Sequence, residues 1–474
     1  MPEAPVSDRP ITSEKELRLS EVLSGLSHAL DMTEGQPRGH AERSCLIGMQ
    51  LVTALGLDDA SRSSIFYALL LKDAGCSSNA AKVAALFGAD DALVKSSRRL
   101  TDTSSTWQSV LHLLNHAARG GSPMAKARHI GAVLNSGRAG ARSLIELRCE
   151  RGAAVVRAIG LGEPAARAVL DVDEHWDGAG YPAGIAGEEI SLAGRVLCLA
   201  QTVDVFWRQG GAAQACAIAR KRRGTWFDPV LVDVLLALEH DARFWRSLEV
   251  PAVDRLEPPD RVLVADDECL DRVAGAFASV VDAKSSYTAH HSEAVAEIAV
   301  ALAVKLELGA ESCATQRRAA LLHDVGKLGV SNRILDKSGP LTEAEWAVMR
   351  CHPRWSMEIL SRVGAFYELA RIAGSHHERL DGSGYFARLT AQELGRPSRI
   401  LAVADVAEAL SADRPYRPAL GPDEVLDAMR RDAGRKLDAD AFAALEEVLP
   451  AWASGSPARQ TSGKNSNLRP SAAT

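Results

Sequence analysis

The sequence predicts an all-α protein built as two tandem helical domains joined by a short linker. Two observations carry this. Apolar residues recur at helical spacing with little strand-like alternation, and three segments of the first half reappear in the same order in the second. At 474 residues the chain also exceeds what one ordinary core accommodates.

The helical pattern is clearest where Val295, Ile298, Leu302 and Leu306 form one stripe, and Val230, Val234 and Leu238 another. Thr342-Glu343-Ala344-Glu345 after Pro340 reads as a capping box, starting a helix that runs towards His352. Aromatic residues make up only 5% of the chain while Ala and Leu dominate, which favours helix.

The repeat is the stronger evidence. The stretch 173–206 echoes 377–410, sharing Asp-Gly-x-Gly-Tyr and the apolar run that follows. Gly224-Thr-Trp-Phe-Asp228 echoes Gly434-Arg-Lys-Leu-Asp438, and Gly39-His40 echoes His290-His291. The expected division is a loose tail over 1–12, a first copy over 13–245, and a linker with lead-in helix over 246–284. A second copy over 285–453 and a disordered tail over 454–474 complete it. Arg261-Val-Leu-Val-Ala-Asp266-Asp267 superficially suggests the first strand of a doubly wound domain. The next motif follows too soon for even one such unit of roughly 30 residues, so it reads as a linker leading into a helix.

Composition excludes several classes. The net charge of −6 gives no basic footprint for a nucleic-acid polymer. Eight scattered cysteines without a Cys-x-x-Cys pair argue against a zinc knuckle or a disulfide framework. No apolar run reaches the roughly 18 residues of a membrane span, and the charged N-terminal segment lacks a signal core. A cytoplasmic location is expected.

The chemistry concentrates in the second copy. His290-His291, His323-Asp324-Val-Gly-Lys327, His352-Pro353, His376-His377-Glu378 and Asp405 fall on or beside apolar helical stretches. One histidine on an apolar face is usually a hydrogen-bonded core residue. This many inward imidazoles and carboxylates together need partners, and metal ions satisfy them most simply. A thiolate-free set suits Fe or Mn, and then Zn. More ligands than one octahedral ion can use imply two metals, an arrangement suited to clamping a phosphodiester.

In order and spacing, HDxGK, then LxKxGPLTxxE, HP, HHERxDGSGY, VAD and RPYR, the region 285–440 resembles the HD-GYP family. The resemblance implies an all-helical HD-type domain that cleaves cyclic di-GMP, and occasionally other cyclic dinucleotides, with a two- or three-metal centre. By position, His291, His323, Asp324, His352, His376, His377 and Asp405 would be the metal ligands, with Asp324 the bridge. Lys327 would hold a non-bridging phosphate oxygen, and Tyr385, Arg414 and Arg417 would contact the nucleotide. Three positions depart from the family. Phe386 replaces the signature proline, Glu408 an aspartate near the substrate, and Tyr287 the glutamate of three-metal members, so two divalent ions are expected.

The first copy keeps the loop Gly180-Tyr181-Pro182 but not the ligands. Lys72 and Cys76 stand where the second copy has His323 and Lys327, Asp173 for His377 and Gln201 for Asp405, and Arg148 or Cys149 lies near the place of His352. It reads as a degenerate, non-catalytic HD-GYP-like domain. Its expected role is regulation, ligand or protein binding, or homodimerisation, with a purely structural role as the equal alternative. Lys72 is expected to take an ion's place by its charge. For the whole chain, hydrolysis of cyclic di-GMP to pGpG, and onwards to GMP, leads. A cyclic-dinucleotide sensor with little turnover and a phosphohydrolase acting on another nucleotide remain the alternatives.

Overall fold

The computed structural model describes residues 16–101, 114–117, 122–285, 287–288, 290–413 and 417–454. Among them all regular elements are helical, and β pairing is confined to isolated bridges. No described helix is long and apolar enough to cross a membrane. The tails expected at 1–12 and 454–474 lie outside the described residues, apart from Ser454.

The first half runs α1 (Leu19–Thr33), α2 (His40–Ala54), α3 (Asp59–Leu71), α4 (Ala80–Phe87) and α5 (Asp91–Leu100). Then come α6 (Pro123–Ile159), α7 (Glu163–Leu170), α8 (Leu192–Lys221), α9 (Pro229–Leu236) and the short α10 (Ala242–Ser247). The second half runs α11 (Asp267–Asp282), α12 (His291–Lys305), α13 (Ala310–Leu322), α14 (Asn332–Leu335) and α15 (Glu343–Met349). It closes with α16 (His352–Leu360), α17 (Tyr367–Gly374), α18 (Arg396–Ser411), α19 (Pro422–Arg430) and α20 (Ala439–Ser454).

Local chemistry explains many of the boundaries. Asp58, Asp90 and Asp266 each accept a backbone N–H at the start of α3, α5 and α11, satisfying donors that the first turn leaves open. The acidic pair at 266–267 is thus a helix start, as the linker reading expects. The capping box at Thr342 and Glu345 forms. Its helix stops at Met349 rather than running on, and a new one begins at His352 with Pro353 in its first turn, where a missing N–H costs nothing. The stripe on α12 faces the core, with Val295, Ile298 and Leu302 fully buried. On α9 the expected stripe is displaced. Val230 is 58% exposed, and Leu231, Val232 and Leu235 face inwards instead.

The echoes in sequence are echoes in structure. Arg195 pairs with Asp228 at 2.6 Å, and Arg399 with Asp438 at 3.0 Å, at matching places. Glu174 accepts the backbone N–H groups of Ala183 and Gly184, and Glu378 those of Ala387, Arg388 and Leu389, so both loops are cradled alike. The Tyr181–Pro182 and Tyr385–Phe386 peptides are both cis. The halves pack reciprocally into one continuous core: α1 lies over the turn Val325–Gly329 and α16, while α11 lies across α6.

One glycine in each half sets how close a turn comes to the helix it faces. A Cβ on Gly326 would lie 2.1 Å from the carbonyl oxygen of His352, and one on Gly75 would lie 1.8 Å from that of Arg148. Arg148 is therefore the counterpart of His352. Gly326→Ala must push α16 away from the turn and is expected to cost about 1–3 kcal/mol. Urea unfolding should show a lower midpoint than wild type; an unchanged midpoint would mean that the contact is not tight.

Candidate metal centre

The seven histidines and aspartates singled out above converge. His291 opens α12, His323 and Asp324 follow α13, His352 opens α16, His376 and His377 follow α17, and Asp405 lies within α18. Each is delivered by a helix end or a helix face whose other side is core, so the donor groups are held by packing.

Asp324 is the centre of the arrangement. Its Oδ2 lies 3.5 Å from Nε2 of His291 and 3.3 Å from Nε2 of His323. Its Oδ1 lies 3.4 Å from Nε2 of His352 and 3.7 Å from Nε2 of His376. One carboxylate thus divides its oxygens between two pairs of imidazoles. Asp405 joins the first pair, with Oδ1 at 3.6 Å from His291 and 3.8 Å from His323, while its Oδ2 faces Nδ1 of His377 at 3.7 Å. His352, His376 and His377 form one potential ligand cluster, and His291, His323 and Asp324 another.

The donor atoms fit cations. The Nδ1 atoms of His323, His352 and His376 face the backbone carbonyls of Ala320, Met349 and Ala373 at 2.6–2.7 Å. Carbonyls only accept, so each Nδ1 carries a hydrogen, and His352 and His376, which burial keeps neutral, turn an Nε2 lone pair inwards. The two Nε2 atoms of His352 and His376 then face each other at 3.3 Å with no hydrogen between them. Nε2 of His323 and Oδ1 of Asp324 are buried without a hydrogen-bond partner. Burial, reinforced by neighbouring cationic groups, holds His352 down to about 4 and His376 to about 3, which leaves both neutral and ready to ligate. Inward lone pairs opposed across a dry pocket are what divalent ions satisfy.

Glu408 bonds Nδ1 of His291, and so aims that ring's Nε2 at Asp324 and Asp405. In the first half Asp204 holds Nδ1 of His40 in the same way, at 2.6 Å. Burial opposes a charge on His291, yet Glu408 and Asp324 together raise its pKa to about 10. The i, i+3 spacing from Asp405 was the available signal, since it puts both carboxylates on one face of α18.

The open side of the centre is formed by Lys327, whose side chain is 22% exposed and whose ammonium pairs with Oδ2 of Asp324, and by His377, 20% exposed. Tyr385 lies against His377 with ring centroids 4.8 Å apart. Tyr287, 42% exposed, offers no carboxylate for a third ion. Arg417 donates to the carbonyls of Ala409, Leu410 and Pro418, which ties its guanidinium to the end of α18. Arg414 lies outside the described residues.

At the corresponding place in the first half the central carboxylate is kept and fixed side-chain cations surround it. Lys72 is buried and pairs with Asp73, as its charge suggested. Arg99, which lies in no motif, reaches in from α5 to Asp73 at 2.7 Å, Glu34 at 2.8 Å and the side-chain oxygen of Gln201. Arg148 pairs with Asp173. Glu34, Asp73 and Cys76 are close enough to hold a cation, but side-chain cations already stand among them. Burial alone would raise Asp73, and Lys72 and Arg99 instead hold it far below the usual carboxylate range.

The chain is similar to known proteins over most of its length. The HD domain family model matches residues 92–231 and 276–441, and the chain belongs to that family. It is 41% identical over 438 residues to the 3′3′-cGAMP-specific phosphodiesterase 3 of Vibrio cholerae, covering 91% of this chain and 94% of that one. A cyclic di-GMP phosphodiesterase of Pseudomonas aeruginosa is 34% identical over 198 residues, 41% of this chain and 47% of its own. Among solved structures, a cyclic GMP-AMP specific phosphodiesterase of V. cholerae superposes with a TM-score of 0.64 at 37% identity, covering 92% of this chain and 98% of that one.

Removing the carboxylate that orients His291 should weaken metal binding without dismantling the core. Glu408→Ala is expected to lower metal affinity about 10–100-fold, read by calorimetric titration with Mn(II). Wild-type affinity in the variant would show that packing alone orients the ring.

Proposed function

We propose that the second half is a two-metal phosphodiesterase that opens a 3′3′-cyclic dinucleotide. The observation that carries this reading is the division of the Asp324 carboxylate between two imidazole pairs. On this reading His291, His323 and Asp405 would hold one ion and His352, His376 and His377 the other, with Asp324 available to both. Histidine and carboxylate donors suit Fe or Mn. When bound, such a pair supplies Lewis acidity at the phosphate and activates water at neutral pH.

The chain's own groups do the rest. Lys327 donates to a non-bridging phosphate oxygen and stabilises the charge that grows there. Its partial exposure leaves the ammonium room to turn from Asp324 to the ligand. Tyr385, braced on His377 by the loop that Glu378 cradles, presents an aromatic face at the open side. Water oxygen adds to phosphorus as the P–O3′ bond breaks, leaving a 5′-phosphate and a free 3′-hydroxyl in a linear dinucleotide. The relative that matches nearly the whole chain acts on 3′3′-cGAMP by its name. This favours 3′3′-cGAMP over the cyclic di-GMP that the motifs suggest.

The first half, in the same reading, holds no metal. Lys72, Arg99 and Arg148 supply the positive charge that ions supply in the second.

Purified protein with Mn(II) is expected to convert 3′3′-cGAMP to its linear form faster than cyclic di-GMP, followed by chromatography, with Asp324→Ala at background. Elemental analysis should give about two ions per chain. Binding without turnover would support a sensor instead, and a ratio near three or four would contradict the two-ion assignment.

A further inference from the structure

Helix α5 carries Asp91, Lys95 and Arg99 at intervals of four, along one face. Arg99 fills the first half's centre. The other two lead elsewhere. Lys95 donates to the carbonyl of Cys76 at 2.6 Å, on the turn that corresponds to the catalytic one. Asp91 is 0% exposed, and its Oδ2 lies 3.8 Å from the ammonium of Lys95 and 3.8 Å from that of Lys284 in the second half. Its Oδ1 accepts the backbone N–H of Asn332 at 3.0 Å.

Lys284 and Asn332 are themselves almost fully buried; Lys284 bonds the turn Val325–Gly329 directly, and Asn332 reaches it through Lys284. The Lys284 ammonium donates to the carbonyl of Leu328 at 2.7 Å, the residue directly after Lys327. The Asn332 side chain donates to the carbonyl of Lys284 at 2.6 Å and to Asp336 at 2.7 Å. From the other side, the methyl of Met32 on α1 lies where a Cβ of Gly329 would stand. A buried carboxylate between two buried ammoniums is a poor device for stability alone, since well-packed apolar residues often do as well or better. What it does supply is a fixed geometry across the two halves.

We propose that Asp91 is a positioning residue for the catalytic site. Through Lys284 and Asn332 it holds the turn Val325–Gly329 so that the Lys327 ammonium stands over Asp324. The first half thus contributes to the reaction of the second although its own centre holds no metal. The role given to Lys327 rests on the phosphodiesterase reading above.

The test is Asp91→Asn, which keeps the shape and the acceptor for Asn332 but removes the charge. In the metal-loaded variant, with its two ions retained, kcat is expected to fall about 10–100-fold, with KM changing less than about twofold. In a Lys327→Met background the same substitution should cause no further loss, because both act through one group. Amide hydrogen exchange across 325–332 should accelerate, while that of α12 stays as in wild type. Full kcat with only a lower melting temperature, an additive loss beside Lys327→Met, or unchanged exchange in the turn would each overturn the proposal. Should wild type turn over no cyclic dinucleotide, the phosphodiesterase reading falls, and the exchange measurement still decides this one. If Asp91→Asn does not fold, Lys284→Gln cuts the same link from the opposite side.

Discussion

Everything in the second half is arranged around one buried carboxylate facing four imidazoles. Asp324 sits among His291, His323, His352 and His376 with both oxygens directed at ring nitrogens, in a pocket that is almost closed to water. Such a group is costly in a low-dielectric interior without compensating charge. The compensation comes from His291, His323 and Lys327, and the four imidazoles are assembled from separate stretches of chain, the starts of α12 and α16 and the ends of α13 and α17. Each has its far side buried in the shared core. The carbonyls of Ala320, Met349 and Ala373 complete the device by settling which nitrogen of each ring carries hydrogen. The fold is therefore a frame for pointing lone pairs.

The first half solves the same electrostatic problem by other means. Asp73 keeps the position of Asp324, and Asp204 still orients His40. Of the four imidazoles around Asp324 only the counterpart His40 remains, and guanidinium and ammonium groups take the place of the others. Both centres are satisfied, one through groups built into the chain and the other through groups that suit exchangeable ions. Only a centre of the second kind leaves positions open for water and a phosphate.

Much of this was legible in the sequence, and the reasons are local. Strings such as His323-Asp324-Val-Gly-Lys327 and His376-His377-Glu378 place donors at helix ends, where a spacing rule suffices to bring them inwards. The all-helical fold, the repeat and the linker at 261–267 followed from the same kind of pattern. Arg99 and Asp91 were not legible, because they belong to no motif and act across the chain on partners that only the packing of α5 brings near. Glu408 was visible as a departure from the family, but its bond to His291 was not, since that partner lies 117 residues away in the chain. The carbonyls at the end of α18 that hold Arg417 were not legible, since backbone groups carry no sequence signature. On α9 the buried face shifted by one residue, because tertiary contacts rather than the apolar spacing alone decide which side turns inwards.

The reciprocal packing of α1 and α11 onto the opposite halves makes the molecule a pair of related subunits on a single thread. In a dimer of identical chains every replacement is made twice, so a lysine in place of a metal-binding histidine would silence both sites at once. Joining the copies lifts that constraint. One copy can then hold a self-neutralised interior while the other keeps its imidazoles, with the packing between them unchanged. Asymmetry of this kind is open to a fused pair and closed to a symmetric one.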